Sequence, residues 1–304
     1  MKAVVVGYGS IGARHARILE ELGCTTTVVS SRAVSHADVL PNLSQALADR
    51  QPGYVVIANA TDRHLDSVLE LARLGYAGTV LVEKPLFQRV APLSQSLPFC
   101  GLFVAYNLRF HPLIRQLRQL LAGERVLSVN AYVGQYLPTW RPSDDYRRSY
   151  SAHASQGGGV LRDLSHELDY LEHLLGGWRR VCALGGHFSA LEIDSDDVFG
   201  LMTEHERCPL VQIQLNYTDR LGRRRILVNT DAHTFEVDLV AGRLMMDQEE
   251  TSLTVDRDLT YRDMHRAALA GQVGELCSLA QAQDTLALID AAERSVASRG
   301  WISH

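Results

Sequence analysis

The stretch Val4-Val5-Val6-Gly7-Tyr8-Gly9-Ser10-Ile11-Gly12-Ala13-Arg14-His15 puts three glycines where an apolar run hands over to a helix-forming one. The run Ala3–Val6 reads as a buried strand, and Ile11–Leu22, closed by Gly23, reads as a helix. Thr25–Ser30 follows as a second strand, so a strand–helix–strand unit is complete by residue 30. In that setting Gly-x-Gly-x-x-Gly is a dinucleotide fingerprint rather than a bare turn. Gly7 allows the turn, Gly9 lets the backbone approach a diphosphate, and Gly12 lets helix and strand pack closely. The amides from Ser10 and Ile11 open the helix against which the anion rests.

The alternation continues outward. Val55–Ala58 and Val80–Val82 read as strands and His64–Leu74 as a helix between them. Continuous apolar strands separated by amphipathic helices predict a parallel sheet covered on both faces. After Phe110 the rhythm changes. A helical piece, Leu113–Leu121, leads into strands at Val126–Tyr136, Val211–Tyr217, Arg225–Asn229, Thr234–Val240 and Leu253–Val255. Strict alternation over 211–217 gives one apolar face and one carrying Gln212, Gln214 and Asn216. Such strands build a mostly antiparallel open sheet. The stretch Gln156–Gly177 reads as a helix that opens after three glycines and closes at Gly176-Gly177, and a last amphipathic helix covers about Thr285 to Ala297.

The fold class expected is therefore α/β: a Rossmann dinucleotide-binding domain over residues 1–112, then an α+β domain over 113–304 for substrate and oligomerisation, its last helix packing back near the first domain. At 304 residues and 46% hydrophobic content there is ample core for two domains. A net charge of −5 without basic, aromatic-interleaved stretches argues against nucleic acid and for a small-molecule ligand. The uncharged run Val90–Leu108 is broken by Pro92, Pro98 and Gly101, which argues against a membrane span. Only Ala3–Val6 separate Lys2 from the glycine loop, too little for a secretory core. Five scattered cysteines without a Cys-x-x-Cys pair fit a reduced, cytoplasmic protein.

The end of the second strand addresses the choice of dinucleotide. Where an NAD enzyme places a carboxylate on the ribose, this chain has Ser30-Ser31-Arg32. Arg holds a 2′-phosphate with charge-assisted hydrogen bonds and Ser donates to it, so NADP(H) is favoured and NAD(H) is left open.

Further motifs follow in order: "ANATDRH" (58–64), "VEKPLF" (82–87), "AYNLRFHP" (105–112) and "GGGVLRDLSHELDYL" (157–171). With the glycine fingerprint, this ordered set closely resembles the Gfo/Idh/MocA family, the glucose–fructose oxidoreductase and inositol dehydrogenase relatives, over nearly the whole chain. The resemblance implies a site between two domains where a nicotinamide cofactor oxidises or reduces a carbinol carbon of a sugar, cyclitol or sugar derivative. It places Asn59, Thr61, His64, Glu83, Lys84 and Asn107 beside the cofactor. It matches Lys84 to the lysine that contacts nicotinamide ribose and substrate hydroxyl, and His166 to the proton carrier. The chemistry agrees, because a carbinol losing hydride must also lose its hydroxyl proton to a base, and an ammonium stabilises the developing alkoxide.

One departure stands out. Many family members carry Asp four residues before the histidine, where this chain has Arg162, and Asp163 lies three before it. Positions three and four apart share a helix face, so Asp163 still qualifies as a substrate ligand with altered geometry. The segment 136–152 adds Tyr136, Trp140, Arg147 and Tyr150 as candidates for holding a polar or anionic sugar-like substrate. Similar stretches in members of the resembled family imply a nucleotide sugar or acidic sugar.

A metal site is not expected, since the position four after His166 is Tyr170 and not the second histidine of His-Glu-x-x-His. A regulator of the same fold that senses a dinucleotide or sugar, and a hydrolase or lyase acting through transient oxidation, remain open. The polar face of the second sheet is open to solvent or to another subunit, and the family resemblance implies pairing there in a homodimer or homotetramer.

Overall fold

The computed structural model describes residues 1–91, 93, 97–141 and 145–304. The chain packs as two units: Met1–Phe110 with Arg257–Gln283, and His111–Asp256 with Asp284–His304. The division expected at residue 112 thus lacks one feature, the return of 257–283 to the first unit.

In the first unit six parallel strands run β1 (Lys2–Val6), β2 (Thr25–Val29), β3 (Val39–Leu40), β4 (Tyr54–Ile57), β5 (Thr79–Val82) and β6 (Gly101–Val104). Their order is β3-β2-β1-β4-β5-β6, with the short strand Cys277–Ser278 antiparallel to β6 at the edge. The helices α1 (Ser10–Glu21), α2 (Leu43–Arg50) and α3 (His64–Arg73) connect them. All four residues of β4 and Ala3–Val6 of β1 are buried, which is why these strands are apolar without alternation. Each such side chain contributes about 2 kcal/mol of burial. The returning helix Leu259–Leu269 sets Met264, Ala267 and Ala268 against Val5, Leu19 and Tyr54 in one core. Asn107 Nδ2 ties this helix by donating to Thr260 Oγ1 at 2.6 Å, and Arg109, 2% exposed, ties the end of the returning segment by donating to Gln281 Oε1 at 2.9 Å.

The second unit is a nine-stranded sheet. Its strands β7 (Val126–Gly134), β8 (Trp178–Gly186), β9 (Val198–His205), β10 (Cys208–Asn216), β11 (Arg223–Thr230), β12 (Thr234–Asp238), β13 (Arg243–Met246) and β14 (Glu249–Ser252) lie in the order β14-β13-β12-β11-β7-β10-β9-β8, with Ile302–Ser303 beside β8. Only β7 and β10 pair in parallel. Val211, Ile213 and Leu215 are buried while Gln212 and Gln214 are exposed, as alternation requires. Asn216 departs from it. It is buried, and its Oδ1 accepts the amides of Thr218 and Asp219, so it shapes the turn after β10 instead of joining the polar face. Leu253–Val255 is not a strand, because pairing with β13 ends at Ser252.

The helices are α4 (Pro112–Leu120), α5 (Val160–Asp163), α6 (His166–Leu175) and Leu279–Ser298. The single helix expected over 156–177 is two, divided at Leu164 (φ −101°, ψ 26°). The last helix begins six residues before the expected Thr285. There Ser278 Oγ accepts the Gln281 amide while Gln281 Oε1 accepts the Ser278 amide, a reciprocal capping box. His111 caps α4 through Nδ1, which accepts the Leu113 amide at 3.2 Å.

Candidate active site

In the first unit the three glycines divide the work. Gly7 has φ +92°, and a Cβ there would stand 2.7 Å from the backbone of Asn59. A Cβ on Gly12 would stand 2.1 Å from the carbonyl oxygen of Gly7. A Cβ on Gly9 would meet nothing within 4 Å. Gly7 and Gly12 are thus glycines for packing, and Gly9 is a glycine facing open space. Gly9 is also the N-cap of the 12-residue α1, with no side-chain cap. The amides of Ser10, Ile11 and Gly12 lie in the first turn, where no intrahelical acceptor exists, and they suit a diphosphate.

After β2, Ser30 Oγ accepts the Arg32 amide at 3.1 Å and donates to the Arg32 carbonyl, folding Ser30-Ser31-Arg32 into a tight turn. Ser31 and Arg32 are exposed. The carboxylate next along the chain, Asp38, is taken by the fork of Arg50 at 2.8 and 2.9 Å and by Thr27. Arg50 outweighs its partial burial and holds it down at about 2.

After β4, Asn59 Nδ2 donates to Ser67 Oγ, while its Oδ1 is buried with no hydrogen-bond partner among the described residues. Thr61 opens a 3-10 turn, Thr61–Arg63, and is half-buried. His64 behaves otherwise. It is 1% exposed, with Nδ1 facing the carbonyls of Pro85 and Leu86 and Nε2 facing that of Asn59. Burial lowers its pKa. Glu83 and Asn107 are also enclosed: Glu83 faces His15 and the Lys84 amide, and Asn107 faces Thr260. His64 and Glu83 thereby brace the loops that carry Asn59 and Lys84, and Asn107 ties its own turn to Thr260. Lys84, half-buried after β5, is one of only two lysines, with Lys2, among the 30 Lys and Arg residues. An arginine serves wherever a fixed charge suffices, whereas only lysine exchanges its proton readily.

In the second unit Asp163 ends α5. It is 5% exposed, and its Oδ2 accepts the hydroxyl of Tyr217 at 2.6 Å. The Tyr150 hydroxyl bonds the same carboxylate. The Asp163 charge, then burial, raises the Tyr150 phenol well above its ordinary value; for Tyr217 burial leads and Asp163 follows. The start of α5 explains how Asp163 is held. Gly159 takes φ +115°, the Val160 amide donates to the Asp196 carbonyl, and the Leu161 amide donates to Asp196 Oδ2 at 2.9 Å. Burial pushes Asp196 up to about 6.

His166 is the first residue of α6 and half-buried. Its neighbour Glu167 is fully buried and grips Arg224 of β11 at 2.7 Å, which fixes the start of the helix. Trp140 packs edge-on against Tyr217, ring centroids 5.3 Å apart, and its indole Nε1 is buried with no hydrogen-bond partner among the described residues. The Arg220 guanidinium lies 4.0 Å from the centre of the Tyr136 ring. Arg147 is engaged elsewhere, donating to both oxygens of Asp145 and to Glu192. Among the described residues no group of three or more His, Cys, Asp or Glu side chains is placed to hold a metal ion.

Comparison with known proteins bears on these parts. Residues 1–97 match the oxidoreductase family with an NAD-binding Rossmann fold, and residues 114–239 match the GFO/IDH/MocA C-terminal domain. The chain belongs to the Gfo/Idh/MocA oxidoreductase family. No curated protein matches its sequence. An oxidoreductase from Thermotoga maritima shares the fold at TM-score 0.84 and 19% identity, covering 100% of this chain and 98% of that one. The WlbA dehydrogenase from Bordetella pertussis, solved with NADH and UDP-GlcNAcA, gives 0.82 and 20% over 100% and 98%. A levoglucosan dehydrogenase solved with NADH gives 0.85 and 14% over 100% and 98%.

Within this Gfo/Idh/MocA chain, sequence reasoning missed Tyr217, Asp196, Arg220 and the brace His15. Tyr217 closes an alternating strand and reads as one more apolar position. Asp196 and His15 act on residues 35 and 68 positions away. No local pattern announces such pairs.

Proposed function

We propose that the protein transfers a hydride between a nicotinamide dinucleotide, NADP(H) in preference to NAD(H), and a carbinol carbon of a sugar, nucleotide sugar or acidic sugar derivative. The observation that carries this reading is the open first turn of α1 at Gly9, in the same unit as Lys84. The bound cofactor supplies or accepts the hydride. Gly7, Gly9, Ser10, Ile11 and Gly12 hold the diphosphate through backbone amides. Arg32, with Ser30 and Ser31, holds a 2′-phosphate. Asn59 Oδ1 and Thr61 take ribose or amide hydrogens, and His64, Glu83 and Asn107 keep their loops in place.

On the substrate, His166 accepts the hydroxyl proton in oxidation and returns it in reduction, while the Lys84 ammonium stabilises the alkoxide oxygen. Asp163, oriented by Tyr150 and Tyr217, accepts a hydrogen bond from a neighbouring hydroxyl. Trp140 offers its face to a sugar ring and its indole N–H to an oxygen. Tyr136, with Arg220 stacked on it, provides an amphipathic wall. The bound ligands of the WlbA and levoglucosan relatives support a sugar-class substrate.

The outer face of the nine-stranded sheet, with Gln212 and Gln214 beside exposed Leu184, Met202 and Leu227, pairs with a second copy of the chain, giving a dimer or tetramer. A monomer mass in light scattering would refute that. Five free cysteines suit a reducing, cytoplasmic setting. No helix among the described residues is long and apolar enough to cross a membrane.

The test is a screen of nucleotide sugars and acidic sugars with NADPH, NADP, NADH and NAD, read at the nicotinamide absorbance. A substrate-dependent change supports the reading. Product formation without net absorbance change would replace it with a transient oxidation.

A further inference from the structure

The first unit buries a line of titratable groups that the hydride chemistry leaves unused. Glu83 Oε1 lies 2.8 Å from His15 Nε2, His15 Nδ1 lies 2.8 Å from His265 Nε2, and His265 Nδ1 lies 3.0 Å from the Tyr54 hydroxyl. At the other end Glu83 Oε2 accepts the backbone amide of Lys84 at 3.1 Å. His15, His265 and Tyr54 are 0% exposed and Glu83 is 8% exposed. The residues come from α1, β4, the end of β5 and the returning helix Leu259–Leu269, up to 250 positions apart.

The donors and acceptors match in one direction. The Tyr54 O–H donates to His265 Nδ1, His265 Nε2–H donates to His15 Nδ1, and His15 Nε2–H donates to the Glu83 carboxylate. Each neutral imidazole then gives one hydrogen bond and takes one. With Glu83 ionised, the reverse order would need a doubly protonated His15, and it would leave the Tyr54 hydroxyl hydrogen buried with no acceptor, which is costly. Burial favours the same order: it raises the Tyr54 phenol far above its usual value and drives His265 far below its own. Burial alone would raise Glu83, but His15 and Lys84 together hold it low.

We propose that Tyr54, His265 and His15 are positioning residues that lock the orientation of the Glu83 carboxylate, and through its bond to the Lys84 amide fix where the Lys84 side chain starts. The proposal rests on the role given to Lys84 above. Its physical content is preorganisation: a reacting group must be held within a fraction of an ångström, and side chains that do not touch the substrate can do the holding.

The small lysine count makes the test direct. Reductive methylation with 13C-formaldehyde labels Lys2, Lys84 and the N-terminal amine, and Lys84→Arg assigns the Lys84 signal. Tyr54→Phe removes one hydroxyl at the far end of the line and keeps the ring. His15→Leu cuts the line in the middle, and His15→Gln restores one donor and one acceptor. The Lys84 signal is expected to move in Tyr54→Phe and in His15→Leu, to return towards the wild-type position in His15→Gln, and the Lys2 signal to stay fixed throughout. In 15N-histidine spectra of the wild type, His15 and His265 are expected as neutral Nε2–H tautomers. An unmoved Lys84 signal in Tyr54→Phe, or a doubly protonated His15, would overturn the proposal. Because both readouts are independent of turnover, failure of the reaction assignment shows separately, as full activity in Lys84→Ala.

Discussion

Tyr217 donates its hydroxyl to Asp163 Oδ2 at 2.6 Å, joining the end of β10 to the end of α5. With Tyr150 on the same carboxylate, Asp163 is a buried anion whose orientation two phenols decide. Tyr217→Phe removes one of them and strands part of a buried charge, at a cost of about 1–3 kcal/mol. The expected outcome is a lower melting temperature, a turnover reduced about tenfold on the substrate found by screening, and unchanged NADPH affinity. Equal turnover in wild type and variant would remove Asp163 from the substrate site.

Lys84→Ala and His166→Ala are each expected to lower turnover by ~10²-fold or more with the fold intact. Lys84→Arg is the sharper variant. It keeps the positive charge and is expected to stay impaired, because a bulky planar guanidinium does not place an N–H on the alkoxide oxygen where the compact ammonium does. Steady-state rates under saturating cofactor provide the check, and wild-type rates in both alanine variants would eliminate the assignment.

Cofactor choice turns on Arg32. Fluorescence titration is expected to show tighter NADPH than NADH binding, and Arg32→Ala to narrow the gap by about tenfold, the worth of one charge-assisted phosphate contact of roughly 1.4 kcal/mol. Equal wild-type affinities would end the NADP(H) preference.

Gly9 and Gly12 separate binding from folding. A methyl at Gly9 meets open space, so Gly9→Ala is expected to melt like the wild type yet lose dinucleotide affinity by tenfold or more. A methyl at Gly12 collides with the Gly7 carbonyl, so Gly12→Ala is expected to destabilise the unit itself. Calorimetry with and without NADPH distinguishes them. A Gly9→Ala protein with native affinity would move the diphosphate elsewhere.

Acid stability is expected to depend on His111. Burial, assisted by the Arg224 charge, lowers its pKa to about 4, and its Nδ1 must stay unprotonated to cap α4. The unfolded value is near 6.5. A lowered folded value means the stabilisation is complete above about pH 6.5 and is lost as pH falls through about 4. The full loss is on the order of 2–3 kcal/mol. His111→Asn retains a capping acceptor without a titrating ring. Its unfolding free energy is expected to vary less between pH 7 and 4 than that of the wild type, and parallel curves would refute the role.

What the sequence disclosed and what it hid follow from distance along the chain. β1, β4 and β5 were legible within a residue or two because doubly covered strands are apolar at nearly every position, and β2 because its run of Thr and Val is β-branched throughout. The glycine loop was legible because turn, anion contact and packing each demand glycine within six residues. The break at Leu164 was not, since Asp163 and His166 are compatible with one face of an unbroken helix and the cap that displaces α5 comes from Asp196. The pairing of Arg147 with Asp145 and Glu192 was hidden too, because both are common surface residues and Glu192 lies 45 positions away. The inward turn of Glu83 was hidden for a further reason: the motif carrying it says nothing of His15, and neither says anything of His265.

The return of residues 257–283 bears on how the protein is made. The sheet that receives the dinucleotide is translated first, but Met264, Ala267 and Leu276 of its core, and the edge strand Cys277–Ser278, leave the ribosome only after the whole of the second sheet except its last short strand. The nascent first unit therefore waits with an open flank until synthesis is nearly over. A chain stopped at residue 256 would keep its glycine loop and lose the helix that closes the unit behind it.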